Sequence, residues 1–228
     1  MQYSLILLAG GSGSRMKKSV PKQYLLLAGK PMIMHILERI DNIEEISELI
    51  LVCDKDYIPS IELMLAQYDI RLPVVYVQGG DTRQASVYAG LAKAAYDNVL
   101  LHEAARPFVS EADFKKLLDA PGTNVIFGQS IAFTVLKGHE SVEGILKRSE
   151  LVNVQLPQKF DRKLLMEAHE KALRDKAFFT EDASLLYSCN PSVRIDILPG
   201  PEYNIKITTP MDMLLGEVIY KEFFSGRK

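Results

Sequence analysis

Cysteine is scarce in this chain. Cys53 and Cys189 are the only two, which rules out a disulfide framework and supplies too few ligands for a cysteine-built zinc site. Excess charge of either sign is also missing. Lys+Arg 27 against Asp+Glu 29 leaves a net charge of -2, so no global basic field draws nucleic acid or an anionic membrane surface. Long apolar runs are absent too. The longest early one, Leu5 to Ala9, has no basic residue before it and predicts a strand rather than a signal peptide or a membrane span. Secreted, fibrous, disordered and membrane classes are thereby excluded, and a cytoplasmic globular protein is the expectation. With 228 residues, 47% of them hydrophobic, the chain is long enough to bury a core without staples.

What is present is an alternation of short apolar runs with amphipathic stretches. Tyr3–Ala9 is a continuous apolar run that stops at glycines, the pattern of a strand buried on both faces. Met32–Ile40 follows Pro31 with apolar residues at helical spacing. Strands are then expected at Glu48–Cys53, Pro73–Gln78 and Asn98–His102, and helices at Tyr57–Tyr68, Arg83–Ala95 and Glu111–Leu118. Strands separated by helices predict βαβ crossovers and a mainly parallel sheet covered on both faces. The rhythm breaks between about Asn124 and Phe160. There, β-prone runs at Asn124–Phe127 and Ile131–Lys137 precede a glycine-bearing stretch that reads as a protruding arm. Regular elements resume at Arg162–Leu173, Asp182–Cys189, Val193–Leu198 and Pro210–Phe224. A single α/β domain spanning 1–228, Rossmann-like and three-layered, with an arm at about 134–156, is the expected architecture.

The first strand runs into Leu8-Ala9-Gly10-Gly11-Ser12-Gly13-Ser14-Arg15-Met16. Glycines let backbone approach a ligand closely, and successive N–H groups in such a loop form an anion cradle. A dinucleotide fingerprint is excluded, because Met16 stands where its third glycine belongs and Leu27, Ala28 and Gly29 stand where its acid belongs. A Walker A loop is excluded by the missing Gly-Lys-Ser/Thr triplet. What remains is a glycine loop carrying Arg15, with Lys22 seven residues on in Pro21-Lys22-Gln23-Tyr24. Two fixed cations beside a phosphate cradle suit a site where charge develops during phosphoryl transfer.

These residues carry a resemblance. LAGGSGSRM with PKQYL, then GGDTRQASV from Gly79, HEAARP from His102, QLPQKF from Gln155, TEDAS from Thr180 and NIKITTP from Asn204 resemble, in order, motifs of the polyol-phosphate cytidylyltransferases. The methylerythritol-phosphate branch of the family comes first, on the Ala-Ala-Arg-Pro spelling and the Ala-Ser after the acidic pair, and the ribitol-phosphate branch second. The resemblance implies CTP as nucleotide and Mg²⁺ as cofactor. It implies a polyol phosphate as acceptor, with glycerol phosphate a further alternative, and a homodimer with composite active sites. By the same resemblance Arg15, Lys22 and Lys206 are catalytic cations, and Ala9, Gly10, Gly11, Ser12, Gly13, Gly80, Asp81, Ser86 and Ala105 bind the nucleotide. Glu103 stands where the family has Asp and would take the metal, an ion that accepts either carboxylate. Arg106 would hold a substrate phosphate or organise its loop. His102 reads first as a structural hydrogen-bonder, Gln23 and Tyr24 as packing behind the loop, and Cys53 as core.

The acceptor half departs from the pattern. The family's D-T-x-K segment aligns with Thr134-Val135-Leu136-Lys137, so its threonine becomes Val135, or a one-residue shift of the arm brings in Thr134. The T-P-Q threonine becomes Leu156, and Arg148 is the expected acceptor-phosphate arginine, reaching across a two-fold interface. The same residues disfavour two rival readings. A nicotinamide oxidoreductase lacks its fingerprint, and a silent nucleotide-binding scaffold is disfavoured by Arg15, Lys22, Arg106 and Lys206 standing together.

Overall fold

The structure is a computed structural model describing residues 1–11 and 20–226. In chain order the elements are β1 (Tyr3–Leu8), β2 (Leu26–Leu27), β3 (Lys30–Pro31), α1 (Met32–Ile40), β4 (Ile46–Cys53), α2 (Ile58–Gln67), β5 (Val74–Gln78), α3 (Arg83–Leu91) and β6 (Asn98–Glu103). They continue with α4 (Glu111–Leu118), β7 (Val125–Ser130), β8 (Leu136–Lys137), β9 (Gly144–Ile145), β10 (Val152–Asp161), α5 (Arg162–Arg174), α6 (Asp182–Cys189), β11 (Asp196–Pro199) and α7 (Pro210–Phe223). A seven-stranded sheet has the order β11-β7-β10-β6-β1-β4-β5. Every pairing in it is parallel except those of β10, which runs antiparallel to both neighbours.

The central strands β1 and β4 are largely apolar because both faces are covered. Leu5 and Leu7 of β1, with Leu49 and Leu51 of β4, meet α1, α2 and α4 through Ile33, Leu37, Ile61 and Phe114. Ile6, Ile50 and Val52 point the other way and pack under α3, α5 and α6 through Val87, Leu91, Leu165 and Leu185. This is the alternation that a two-sided sheet imposes. Gly90 lets α3 sit close on β1, since a Cβ there would lie 2.6 Å from Ile6 Cγ2. A third cluster of Leu27, Met32, Phe108, Ile207 and Ile219 seats α7 beside the sheet. Among the described residues no helix is long and apolar enough to cross a membrane.

Three expectations need correction. The run Ile131–Lys137 forms a strand only at Leu136–Lys137, paired in a hairpin with Gly144–Ile145. Most of its side chains are exposed, and β-propensity without a partner strand does not make a ladder. The arm is also shorter than expected, because Val152–Leu156 belongs to β10 inside the central sheet. That strand was hidden in the sequence by Pro157 and by three buried polar residues, Gln155, Gln158 and Lys159. Its pairing with β7 slips between Gln155 and Gln158, an irregularity that takes up the proline's missing donor. Helix α3 stops at Leu91, four residues short of the expected end at Ala95.

Two of the three buried histidines, His35 and His102, face backbone carbonyls. His35 pairs through Nε2 with the Leu27 carbonyl at 2.9 Å, and His102 through Nε2 with the Arg106 carbonyl at 3.0 Å. Burial pushes both from 6.5 down to about 4. The unfolded chain therefore takes up two protons near pH ~6.5 that the folded chain accepts only near pH ~4. Their stabilising contribution is complete above the first value and lost as pH falls toward the second. Denaturation midpoints followed from pH ~7 to pH ~4.5 should fall, and a His35→Gln, His102→Gln double variant should flatten part of that slope. A slope identical in wild type and double variant would show that neither ring is held neutral.

Candidate active site

The carboxyl ends of β1, β4, β5 and β6 open into a cleft of about 460 Å³. Crevices at this edge are where parallel α/β sheets place ligands, because the loops there are free of the ladder. Gly10, Gly11, Lys22, Gly80, Asp81, Arg83, Ser86, Glu103, Ala105 and Lys206 are among the residues lining it. Ala9 lines it as well, its N–H bonded to the Val52 carbonyl at 2.8 Å. Gln23 supports this loop from behind, donating its side-chain amide to the carbonyls of Ala9 and Gly11. Ser12, Gly13 and Arg15 lie outside the described residues.

The second wall is the turn from β5 into α3. Thr82 caps the helix by accepting the Ala85 N–H at 3.0 Å. Ser86 accepts the Gly80 N–H at 3.1 Å and donates to the Thr82 carbonyl at 2.9 Å, so its hydroxyl shapes the turn that presents Asp81. Glycine is required at position 80, where a Cβ would meet Ala85 Cβ at 2.6 Å.

The third wall is the end of β6. Ala104 N–H bonds the Leu8 carbonyl at 3.0 Å, and Ile207 N–H bonds the Ala105 carbonyl at 2.8 Å, which brings the segment carrying Lys206 onto the β6 terminus. Arg106 donates to the Asn204 carbonyl at 3.1 Å and Asn204 donates to the Leu156 carbonyl at 2.6 Å, pinning that segment from behind. Arg106 thus takes the loop-organising alternative and does not border the cleft. Lys22 donates to the Ile207 carbonyl at 2.9 Å, so both lysines are tied to the same stretch of backbone.

Glu103 is the electrostatic centre. Its side chain is 8% exposed, with Oε1 3.0 Å from Arg83 Nε and Oε2 2.6 Å from Lys206 Nζ and 3.9 Å from Arg106 Nε. Burial alone would raise its pKa, but Lys206, Arg83 and Arg106 together bring it down to about 2. Arg83 also donates to Asp182 at 2.6 Å, and despite its burial the two carboxylates hold it firmly charged. Arg83 is not among the site residues expected from the sequence, although it stands inside the GGDTRQASV motif. A cation in the first turn of a helix opposes the helix dipole, and this was the available signal that carboxylates hold it there.

The arm residues stand apart from the cleft. Thr134 and Arg148 are exposed, and Arg148 donates to the Ala132 carbonyl of the arm itself at 2.8 Å. Leu156 is 4% exposed and packs in the core, so the apolar residue at that position removes no hydroxyl from this protomer's cleft. His102, Cys53 and Tyr24 take the structural places expected of them. His102 and Cys53 are buried, and Tyr24 stacks on Tyr57 with ring centroids 4.9 Å apart.

Comparison with known proteins gives one consistent result. A family model described as 2-C-methyl-D-erythritol 4-phosphate cytidylyltransferase matches residues 3–222. A relative from Geobacillus thermodenitrificans bearing that name is 38% identical over 226 residues, covering 96% of this chain and 97% of the relative. The crystal structure of 4-diphosphocytidyl-2C-methyl-D-erythritol synthase from Anaerococcus prevotii superposes with a TM-score of 0.85 at 30% identity, covering 96% of each chain. The cytidylyltransferase of the same description from Thermus thermophilus gives 0.78 at 27% identity, over 97% of this chain and 100% of that one.

Glu103→Gln removes the anion that three cations share and leaves them facing one another. The variant should lose about 3 kcal/mol of stability near neutral pH, the usual cost of breaking one side of a buried pair. The depressed pKa also fixes a pH window. Stability contributed by Glu103 is present above about 4.5 and lost as pH falls toward about 2. Chemical denaturation of wild type and variant across that window should converge at the acid end; a constant gap would remove Glu103 from the acid-labile set.

Proposed function

The chain belongs to the 2-C-methyl-D-erythritol 4-phosphate cytidylyltransferase family, and from that premise we propose that it transfers the cytidylyl group of CTP to 2-C-methyl-D-erythritol 4-phosphate, releasing pyrophosphate. The carrying observation is that Lys22 and Lys206 line one cleft beside a glycine loop and are tied to the same backbone segment, with the Lys206 ammonium fixed by an ionised carboxylate. In this reaction a phosphate oxygen of the acceptor attacks the α-phosphorus, and the bond to the pyrophosphate oxygen breaks. The nucleophile is already anionic, so no general base is needed. Alignment and screening of phosphate repulsion carry the catalysis. Lys22 faces the triphosphate, a partner the motif also assigns to Arg15, while Lys206 stands where charge builds on the α-phosphate. Asp81, exposed at the cleft wall, offers acceptors to the exocyclic amine of cytosine.

A divalent cation fits one place. Glu103 lines the cleft with Oε2 paired to Lys206 Nζ at 2.6 Å, and a carboxylate oxygen so placed can also ligate a cation. Among the described residues no three His, Cys, Asp or Glu side chains cluster. A single carboxylate suits Mg²⁺, which keeps waters and takes its other ligands from substrate phosphates. When bound it would supply charge neutralisation between the phosphates, and Glu103 would hold it. This reading makes the chain a soluble cytoplasmic enzyme acting on small charged substrates.

The arm supports a homodimer. Phe133, Val142 and Ile145 are 81%, 67% and 82% exposed, an apolar surface on a thin hairpin that a second copy would cover. In that assembly Arg148 of one subunit reaches the acceptor phosphate in its partner's cleft, giving two composite sites.

Pyrophosphate release should be fastest with CTP and 2-C-methyl-D-erythritol 4-phosphate in a matrix of CTP, UTP, ATP and GTP against that acceptor, ribitol 5-phosphate and glycerol phosphate. A site built on acceptors for an amine penalises the carbonyl of uracil. Equal use of UTP would overturn the base assignment, and faster turnover of another polyol phosphate would overturn the acceptor. Composite sites have their own test. Arg148→Ala should raise the KM of the acceptor alone, and mixing it with Lys206→Ala should restore activity through heterodimers holding one intact site. Continued inactivity with subunit exchange demonstrated would place Arg148 in its own subunit's site or in none.

A further inference from the structure

A buried chain of polar groups leads away from the cleft behind Glu103. Arg83 donates through Nε to Glu103 Oε1 at 3.0 Å and through Nη1 to Asp182 Oδ2 at 2.6 Å. The other oxygen of Asp182 faces His169 Nε2 at 3.2 Å. Asp182 is 1% exposed and His169 2%, and neither borders the cleft. A ring nitrogen set against a carboxylate carries the proton, so His169 is the donor. The His169 ring stacks on Tyr88 with centroids 6.2 Å apart, which ties α5 to α3 at this point. No role in binding or chemistry considered so far uses either residue.

We propose that His169 and Asp182 are a positioning pair, acting through Arg83 and Glu103 to fix the ammonium of Lys206 at the cleft. The kinetic part of this inference rests on the cytidylyl-transfer reading. The structural part does not.

Arg83 shares its donors between two carboxylates. A guanidinium fork matches a single carboxylate with two parallel N–H bonds when nothing else competes for it. Here the fork is divided, with Nε on Glu103 and Nη1 on Asp182. Glu103 therefore receives Arg83 at one oxygen only, and Oε2 is left to Lys206 at 2.6 Å. Should Asp182 turn away, Arg83 would close on both oxygens of Glu103 and displace the lysine. His169 prevents this by engaging Oδ1, which keeps Oδ2 directed at Arg83. A residue on α5, far in sequence from Lys206, thus sets where that ammonium stands.

The test compares His169→Leu, which removes the donor, with His169→Gln, whose side-chain amide keeps one. Two readouts are taken: kcat and KM for CTP, and the ¹⁵N-edited ammonium resonance of Lys206 without substrate, assigned with Lys206→Arg. His169→Leu should lose about tenfold or more in kcat with KM for CTP changed less than about twofold, the size of effect that outer-layer positioning groups produce. Its Lys206 resonance should move. His169→Gln should recover most of both. An unmoved resonance in a folded His169→Leu, or equal losses in both variants tracking the folded fraction, would overturn the proposal. Should His169→Leu not fold, Asp182→Asn is read by the same two measurements and the same criteria. If wild type makes no CDP-polyol while the resonance responds as expected, the reading of the reaction fails and the positioning pair stands.

Discussion

A carboxylate buried at the end of a strand cannot stand without cations, and the site is arranged around satisfying that demand at Glu103. Removing an ion of this size from water costs several kcal/mol, repaid only by close partners of opposite charge. Three arrive from different parts of the chain: Arg83 from the first turn of α3, Arg106 from the loop after β6, and Lys206 from the segment before α7. Arg83 therefore fastens the second wall of the cleft to Glu103, and Lys206, with Arg106 behind it, fastens the third to the same point. Arg106 and Asn204 then fix the Lys206 segment by its backbone, so the lysine is held at both ends of its reach. A protein that places cations at a phosphate site must keep them from repelling one another before substrate arrives. Glu103 performs that task here.

The sheet makes this convergence possible. Parallel strands covered on both faces leave their carboxyl ends as the one place where several loops can meet, and β1, β4, β5 and β6 end side by side there. The turns are fastened by short-range chemistry: Thr82 capping α3, Ser86 bonding Gly80 across the turn, and the Thr209–Asp212 capping box that starts α7 just after Lys206. Local capping fixes where each helix begins, and this decides which side chains face the cleft.

The arm follows a different logic. It leaves the sheet after β7 and returns as β10, and between them it buries little. Its one ladder is two residues long on each side, and its apolar side chains are largely in solvent. Fold stability from the rest of the chain is what keeps this segment in place, while its surface is free to serve a partner. Thr134 and Arg148, which we propose for the acceptor, sit there, away from the cleft, and the proposed division of substrates between subunits follows from that separation.

The sequence alone determined the alternation of β and α elements, the two-sided sheet and the meeting of Gly10, Gly11, Lys22, Asp81, Glu103 and Lys206 in one cleft. All three are written in local signals: apolar runs ending in glycines, Pro31 before α1, and ordered motifs whose spacing the fold preserves. It could not show β10 as a central strand, because Pro157 and buried Gln155, Gln158 and Lys159 imitate a loop, and only neighbours distant in sequence satisfy them. Nor could it single out Asp182 and His169. Their meaning lies in contacts across many residues of chain, with Arg83 linking α6 to the end of β6. Periodicity and turn chemistry are properties of neighbouring residues and can be read along a chain. The sharing of one guanidinium between two carboxylates exists only once the helices have packed, and the tertiary structure alone decided it.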